Sequence, residues 1–211
     1  LPQPRQKGCW IEAGIGPEVE ITTEYVTHQI NSAAQLGAEV FFIDAGWYAK
    51  PYSEWSDTVG DWKFDKKRFP KGVKPFRDLV HKKGMLWGLW MDAERIGSKS
   101  KIFKSHPQWL AVAYDGEKSL GNMLDLTKPE VAKWMEEQIV RVVNENELDF
   151  FRLDYNVGHI AAGLHSIKDG FVENGYWRYY EALYGVYDRI RKRFPDLILE
   201  NCAGGGGRTD I

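Results

Sequence analysis

Four polar residues close four apolar runs, and side chains in that position can do chemistry. Asp44 follows EVFFI in EVFFIDAGW (residues 39–47), Asp92 stands in MLWGLWMDAE (85–94), Asp154 in LDFFRLDYN (148–156) and Asn201 in LILENC (197–202). Polar groups are expensive to bury without partners, so their recurrence at the ends of buried-looking strands needs a reason. Asp154 is the sharpest case. Arg152, two residues earlier, faces the same side, because strand side chains repeat every two residues. A nearby cation lowers a carboxylate pKa and keeps the group ionised. An ionised carboxylate at a strand mouth can serve as a nucleophile, an electrostatic stabiliser or a metal ligand. The structural alternative is a salt bridge that plugs the strand end.

The other clusters carry similar pairs of readings. Asp44 and Trp47 on one loop suit a sugar, with hydroxyls on the carboxylate and a ring face on the indole. Equally, Asp44 can cap a turn and Trp47 can pack. Trp90 lies two residues before Asp92, so both face one way, while Glu94 and Arg95 read as a loop ion pair. The stretch ENCAGGGGRTD places Cys202 beside glycines 204–207. Without a Gly-Lys-Ser/Thr ending it does not read as a phosphate loop. Glycines also let backbone approach a ligand closely, so Cys202, Gly204 and Gly205 can form one wall of a pocket. The five histidines show no ligand spacing, and no Gly-x-Ser-x-Gly elbow supports a serine triad. No metal or cofactor is expected.

The elements that must position these residues alternate. Strands are expected at 8–13, 39–47, 85–94, 148–156 and 197–202. Helices are expected at 23–37 (Thr23 as N-cap, Gly37 as stop), 73–84, 100–107, 128–146 and 176–194. Residues 109–127 read as an irregular insertion. Repeated strand and helix imply a parallel α/β sheet. Both a doubly wound sheet and a (β/α)8 TIM barrel fit. The polar residues all fall at C-terminal strand ends, the face on which barrel sites are built, and this favours the barrel. Only about the first five β/α units are present. Residues 1–211 are expected to form a single domain, the N-terminal part of such a barrel.

Composition narrows the function classes. Net charge is −2 with no basic stripe, which argues against a nucleic-acid surface. No apolar run is long enough to span a bilayer, and no charged region followed by an apolar one reads as a secretory leader. Two cysteines, Cys9 and Cys202, give no disulfide framework, and free thiols are expected. Nine Trp, ten Tyr and ten Phe make the chain 14% aromatic, which suits either a large core or a cleft with flat apolar platforms.

Four blocks in order then resemble glycoside hydrolase family 36, the α-galactosidase group with a (β/α)8 catalytic barrel. FFIDAGWY resembles the family's Asp-Asp-Gly-Trp segment. GDWKFDKKRFPKGVKPFRDLVHKKGMLWGLW resembles its Gly-Asp-Trp, Phe-Pro-x-Gly and Gly-Leu-Trp blocks. FFRLDYN resembles Lys-Trp-Asp-Met-Asn, and ENCAGGGGRTD resembles Ser-Cys-Ser-Gly-Gly-Gly-Gly-Arg-Phe-Asp. The resemblance implies a retaining α-glycosidase in which Asp154 is the nucleophile. Asp44, Trp47, Trp90, Arg152, Asn156, Cys202, Gly204 and Gly205 would line the sugar subsite. A carbohydrate is the implied partner, beside a second copy of the chain or a segment that completes the barrel.

Four departures stand out. Ala45 replaces the family's second aspartate. Arg152-Leu153 replaces Lys-Trp, keeping charge but changing donor geometry. A basic residue the family carries before its Gln-Leu-Val-Leu-Asp strand has no clean match near Ser119. The family's acid/base follows a sixth strand, beyond Ile211, and Asp44, Asp92, Glu200 and Asp210 do not match it. The alternatives are an N-acetylated galactoside as substrate, a transglycosylase like raffinose synthase, and a non-catalytic sugar-binding half-barrel.

Overall fold

A computed structural model describes residues 10–13, 21–49, 54–112, 122–156, 167–168, 171–172 and 175–208. In chain order these are β1 (Trp10–Ala13), α1 (Thr23–Gln35), β2 (Val40–Ile43), α2 (Trp55–Thr58), α3 (Lys74–Lys82), β3 (Leu86–Met91), α4 (Lys101–Ser105), α5 (Pro129–Asn146), β4 (Phe150–Leu153), β5 (Ile167–Lys168), β6 (Phe171–Val172), α6 (Gly175–Arg193) and β7 (Ile198–Asn201). The short antiparallel pair β5–β6 was not expected. Two-residue strands carry too little periodicity to be read from sequence. Cys9, Ser119 and Asp210 lie outside the described residues.

The elements form where local chemistry favours them. Thr22, rather than the expected Thr23, caps α1: its hydroxyl accepts from the Tyr25 amide at 3.1 Å. Val26, Ile30 and Ala33 then bury one face, and Gly37 takes φ +76 to turn the chain into β2. Pro129 opens α5 at a position where its missing N–H goes unused. All of β2 and nearly all of β3 are buried, as the uninterrupted apolar runs VFFI and LWGLWM imply for strands covered on both faces.

The sheet decides between the two architectures. Its order is β1-β2-β3-β4-β7, every neighbouring pair parallel. Consecutive parallel strands follow one another across the sheet without the reversal of order that marks a doubly wound fold. This is the wall of a partial α/β barrel.

Register stacks the side chains on one face of that wall in rows. Phe42, Gly88 and Phe150 pair side by side, with the two phenyl centroids 5.0 Å apart. Gly88 is small because the neighbouring rings occupy its space. A Cβ there would sit 2.6 Å from Phe150 Cδ1 and 2.9 Å from both the Phe150 carbonyl and Phe42 Cβ. The next row up on the same face joins Trp90, Arg152 and Glu200. Asp92 and Asp154 follow two residues beyond Trp90 and Arg152.

Gly88→Ala is therefore expected to destabilise the fold by about 1–3 kcal/mol through overpacking. The readout is a fall in the urea midpoint at unchanged slope. An unchanged midpoint would show that the phenyl row has room to spare.

Candidate active site

Asp154 sits at the C-terminal end of β4, 8% exposed, with donors arriving from three directions. Oδ2 accepts from the Trp90 indole N–H and from Asn156 Nδ2, both at 3.0 Å. Oδ1 accepts from the Tyr155 amide at 2.8 Å and from the Gly204 amide at 3.3 Å. The Cys202 thiol stands beside the carboxylate and favours its charged form. Burial pushes the Asp154 carboxyl up, but the Cys202 thiol, Trp90 indole, Tyr155 amide and Asn156 side chain outweigh it. Together they hold it below the usual carboxylate value. Burial and Asp154 push the Cys202 thiol the other way, up to about 11, so it stays a neutral donor.

Each donor has a structural reason to be where it is. Trp90 is clamped between rings: Tyr48 stacks on it with centroids 6.4 Å apart, and Trp55 meets it edge-on at 5.4 Å. Gly204 and Gly205 take φ +54 and +99, conformations that side chains rarely adopt. No atom lies within 4 Å of where their Cβ atoms would be, so it is backbone conformation that calls for glycine there. The Cys202 amide donates to the Leu153 carbonyl at 2.8 Å, fixing the base of the turn against β4.

Other residues singled out from the sequence have different surroundings. The sequence spacing predicts Arg152 as the cation beside Asp154. Its guanidinium instead makes a two-pronged pair with Glu200, Nε to Oε2 at 2.7 Å and Nη2 to Oε1 at 3.1 Å, and lies 4.4 Å over the Phe42 ring. The partner on the adjacent strand at the same register wins over the one two residues along. Trp47 is wholly buried, and its indole N–H donates to the Trp90 carbonyl at 2.8 Å. It stands behind Trp90 rather than offering a face of its own. Asp44 caps the 3-10 turn Ala45–Trp47, accepting from the Ala45 amide at 2.6 Å. That turn is pinned by Arg68, which donates to the Gly46 carbonyl at 2.8 Å and to the Ala49 carbonyl. Gly205 sits exposed beside Gly204 in the turn.

The expected Glu94–Arg95 pair is replaced by two crossed pairs. Arg95 Nε reaches Asp92 Oδ2 at 2.5 Å, while Glu94 Oε1 accepts from Arg208 Nη1 at 2.6 Å. Glu94 also accepts from the Tyr179 hydroxyl. Arg208 and Tyr179 were not singled out from the sequence. The one available signal was the arginine that ends the glycine run. Asp92 is fully buried, and its Oδ1 has no hydrogen-bond partner among the described residues. Burial raises its carboxyl to about 7, against the downward pull of Arg95. No group of three or more His, Cys, Asp or Glu among the described residues is arranged to hold a metal ion. A cavity of about 410 Å³ lies between Trp62, Phe64, Phe69, Val73 and the end of α5, and shares only Trp47 with the residues expected to bind sugar.

Comparison with known proteins agrees with the partial barrel. The sequence profile of the melibiase family matches residues 16–211. The chain belongs to the melibiase family. Curated relatives include α-galactosidase Mel36A of Lactobacillus acidophilus, 32% identical over 186 residues, covering 86% of this chain and 25% of the relative. α-Galactosidase 2 of Pediococcus pentosaceus is 31% identical over 194 residues, covering 90% of this chain and 27% of the relative. Among solved structures, the GH36 α-galactosidase AgaA of Geobacillus stearothermophilus superposes with a TM-score of 0.85 at 26% identity, over 97% of this chain and 29% of that one. The chain thus spans about a quarter of the length of the curated relatives it matches.

Asp92 carries a pH prediction. Its pKa is near 3.8 when unfolded and about 7 when folded, so between those values the native state holds a proton that the unfolded chain has lost. Stability therefore falls as pH rises from about 4 to about 7 and levels off above. Asp92→Asn should flatten that decline, read from urea midpoints across the range. A decline of equal slope in the variant would show that Asp92 is not its source.

Proposed function

We propose that the intact protein hydrolyses α-galactosides, with Asp154 as the nucleophile of a retaining mechanism. The observation that carries this reading is the donor set around Asp154. A nucleophile must be ionised, and a mostly buried carboxylate stays ionised only when hydrogen bonds replace its water. Asp154 has such bonds from Trp90, Tyr155, Asn156 and Gly204, with the Cys202 thiol beside them. It also stands at the C-terminal end of a parallel strand, where barrel enzymes place their chemistry. Residues 1–211 serve as the N-terminal part of the single catalytic barrel.

In the proposed first step a carboxylate oxygen of Asp154 bonds to the anomeric carbon. The bond to the leaving oxygen breaks, and that oxygen takes a proton from a carboxylic acid. Water then cleaves the glycosyl ester, giving its proton back to the same acid/base group. The acid/base belongs to the part of the barrel beyond residue 211. The Cys202–Gly205 turn, Asn156 and Trp90 shape the floor under the sugar. Arg152, tied to Glu200, and the Asp44 turn stand at its edge. Trp47 supports Trp90 from behind. The GH36 enzyme of Geobacillus stearothermophilus has been seen in complex with stachyose and, separately, raffinose, which makes α-galactosyl oligosaccharides the first substrates to try.

Ala45 favours a second reading, in which the preferred sugar is a modified galactoside. It stands where the family's second aspartate would be, and it is buried with its amide bonded to Asp44. A methyl group offers a sugar hydroxyl no hydrogen bond, and loss of such a partner changes discrimination. An N-acetylated galactoside is the candidate.

Asp154→Asn in the intact protein is expected to lower turnover by at least about 10⁴-fold with the fold preserved. Undiminished turnover would remove Asp154 from the nucleophile role. A panel of nitrophenyl α-glycosides separates the two substrate readings. If the α-galactoside is hydrolysed far faster than every other member, the modified-sugar reading fails; a faster N-acetylated substrate would replace the first.

A further inference from the structure

The pair Glu94–Arg208 is buried almost completely, at 2% and 6% exposure, and Glu94 is close enough to Asp154 to feel its charge. An ion pair in such a place contributes little net stability in general, because desolvation offsets the attraction. What it supplies here is geometry. Arg208 uses two arms of its planar fork on two acceptors: Nη1 on Glu94 Oε1 at 2.6 Å and Nη2 on the Cys202 carbonyl at 2.9 Å. Its guanidinium lies 5.0 Å over the ring of Tyr155, the residue after Asp154. Glu94 is held in turn by the Tyr179 hydroxyl from α6.

These contacts close the turn that follows β7. Arg208 stands at its far end and grips the carbonyl of Cys202 at its near end. Within the loop, the Gly207 amide donates to the Ala203 carbonyl at 2.9 Å, and a Cβ on Gly207 would lie 2.9 Å from that same oxygen. The turn is therefore tied at both ends. Its inner side presents the Gly204 amide and the Cys202 thiol to Asp154.

We propose that Arg208, anchored by Glu94 and Tyr179, is a positioning residue for the nucleophile: it holds the glycine turn so that the Gly204 amide and the Cys202 thiol bear on Asp154. This rests on the reading of Asp154 as nucleophile. Arg208 acts on the reacting carboxylate through the turn and, more weakly, through its contact with the Tyr155 ring. Lysine would keep the charge opposite Glu94 but lacks the rigid fork that serves two acceptors in one plane.

The acid limb of the activity profile reports whether the turn is in place, because those two donors favour ionised Asp154. The titratable and charged groups around Asp154 are Asp92 and Glu94 after β3, Arg152 and Tyr155 on and after β4, Tyr187 on α6, and Cys202 and Arg208 in the turn. Arg208→Lys changes none of their formal charges, so a shift in the limb reads position rather than net charge.

The test uses the intact protein. The rate of covalent inactivation by a galacto-configured epoxide, which the Asp154 carboxylate opens to an ester, is followed against pH in wild type and Arg208→Lys. The acid limb is expected to move up by about one pH unit in the variant. A limb that stays in place while the urea midpoint falls would assign Arg208 a structural role alone and overturn the proposal. Tyr179→Phe loosens Glu94 without touching the Arg208 fork and should give a smaller shift of the same sign. If Arg208→Lys does not fold, the absence of any shift in Tyr179→Phe overturns the proposal. If the wild-type protein gives no adduct on Asp154, the nucleophile assignment itself fails. An adduct in wild type with superimposable profiles sinks the positioning role only.

Discussion

The arrangement turns on keeping one carboxylate charged while it is mostly withdrawn from water. Moving a carboxylate out of water is opposed by several kcal/mol unless donors replace its hydration. For Asp154 the donors come from the end of β3 through Trp90, from its own chain through Tyr155 and Asn156, and from the turn after β7 through Cys202 and Gly204. No single segment could supply them all. The strands β3, β4 and β7 must lie side by side in that order, with their C-terminal ends level.

That requirement explains features further from the site. Gly88, between Phe42 and Phe150 in register, leaves room for the two rings to close up across β3. Trp90 aims its N–H at Asp154 because Tyr48 and Trp55 fix its ring and Trp47 holds its carbonyl. The turn after β7 can aim its amide inward because glycine accepts positive φ at 204 and 205. Packing that reads as ordinary core is thus also the frame of the carboxylate.

Three carboxylates near one another are driven to different states by their surroundings. Asp154 collects donors and stays ionised. Asp92 has a single cation and a lone oxygen, and burial raises it to about 7. Glu94 is also raised by burial, with Arg208 and Tyr179 pulling against that rise. Environments that push like groups apart in pKa are a mark of sites that do acid–base work. Among these three, only Asp154 combines ionisation with hydrogen-bond donors from three elements.

Much of this was legible in the sequence alone. Apolar runs of strand length, helices with periodic apolar faces and stops such as Gly37 and Gly84, and polar residues placed at strand ends are local patterns, and they determined the α/β class and marked Asp154, Trp90 and the Cys202–Gly205 turn, while Asn156 came from the family resemblance. The four ordered blocks determined the family. Pairing is not local, and only the tertiary structure decided it. Arg152 chose Glu200, which lies 48 residues away in sequence yet adjacent in register. Glu94 passed over Arg95 for Arg208, 114 residues away. Trp47 turned inward to brace Trp90. A side chain's neighbours along the chain are set by covalent spacing, but its partners are set by which strands lie side by side, and that follows from the burial of the whole sheet.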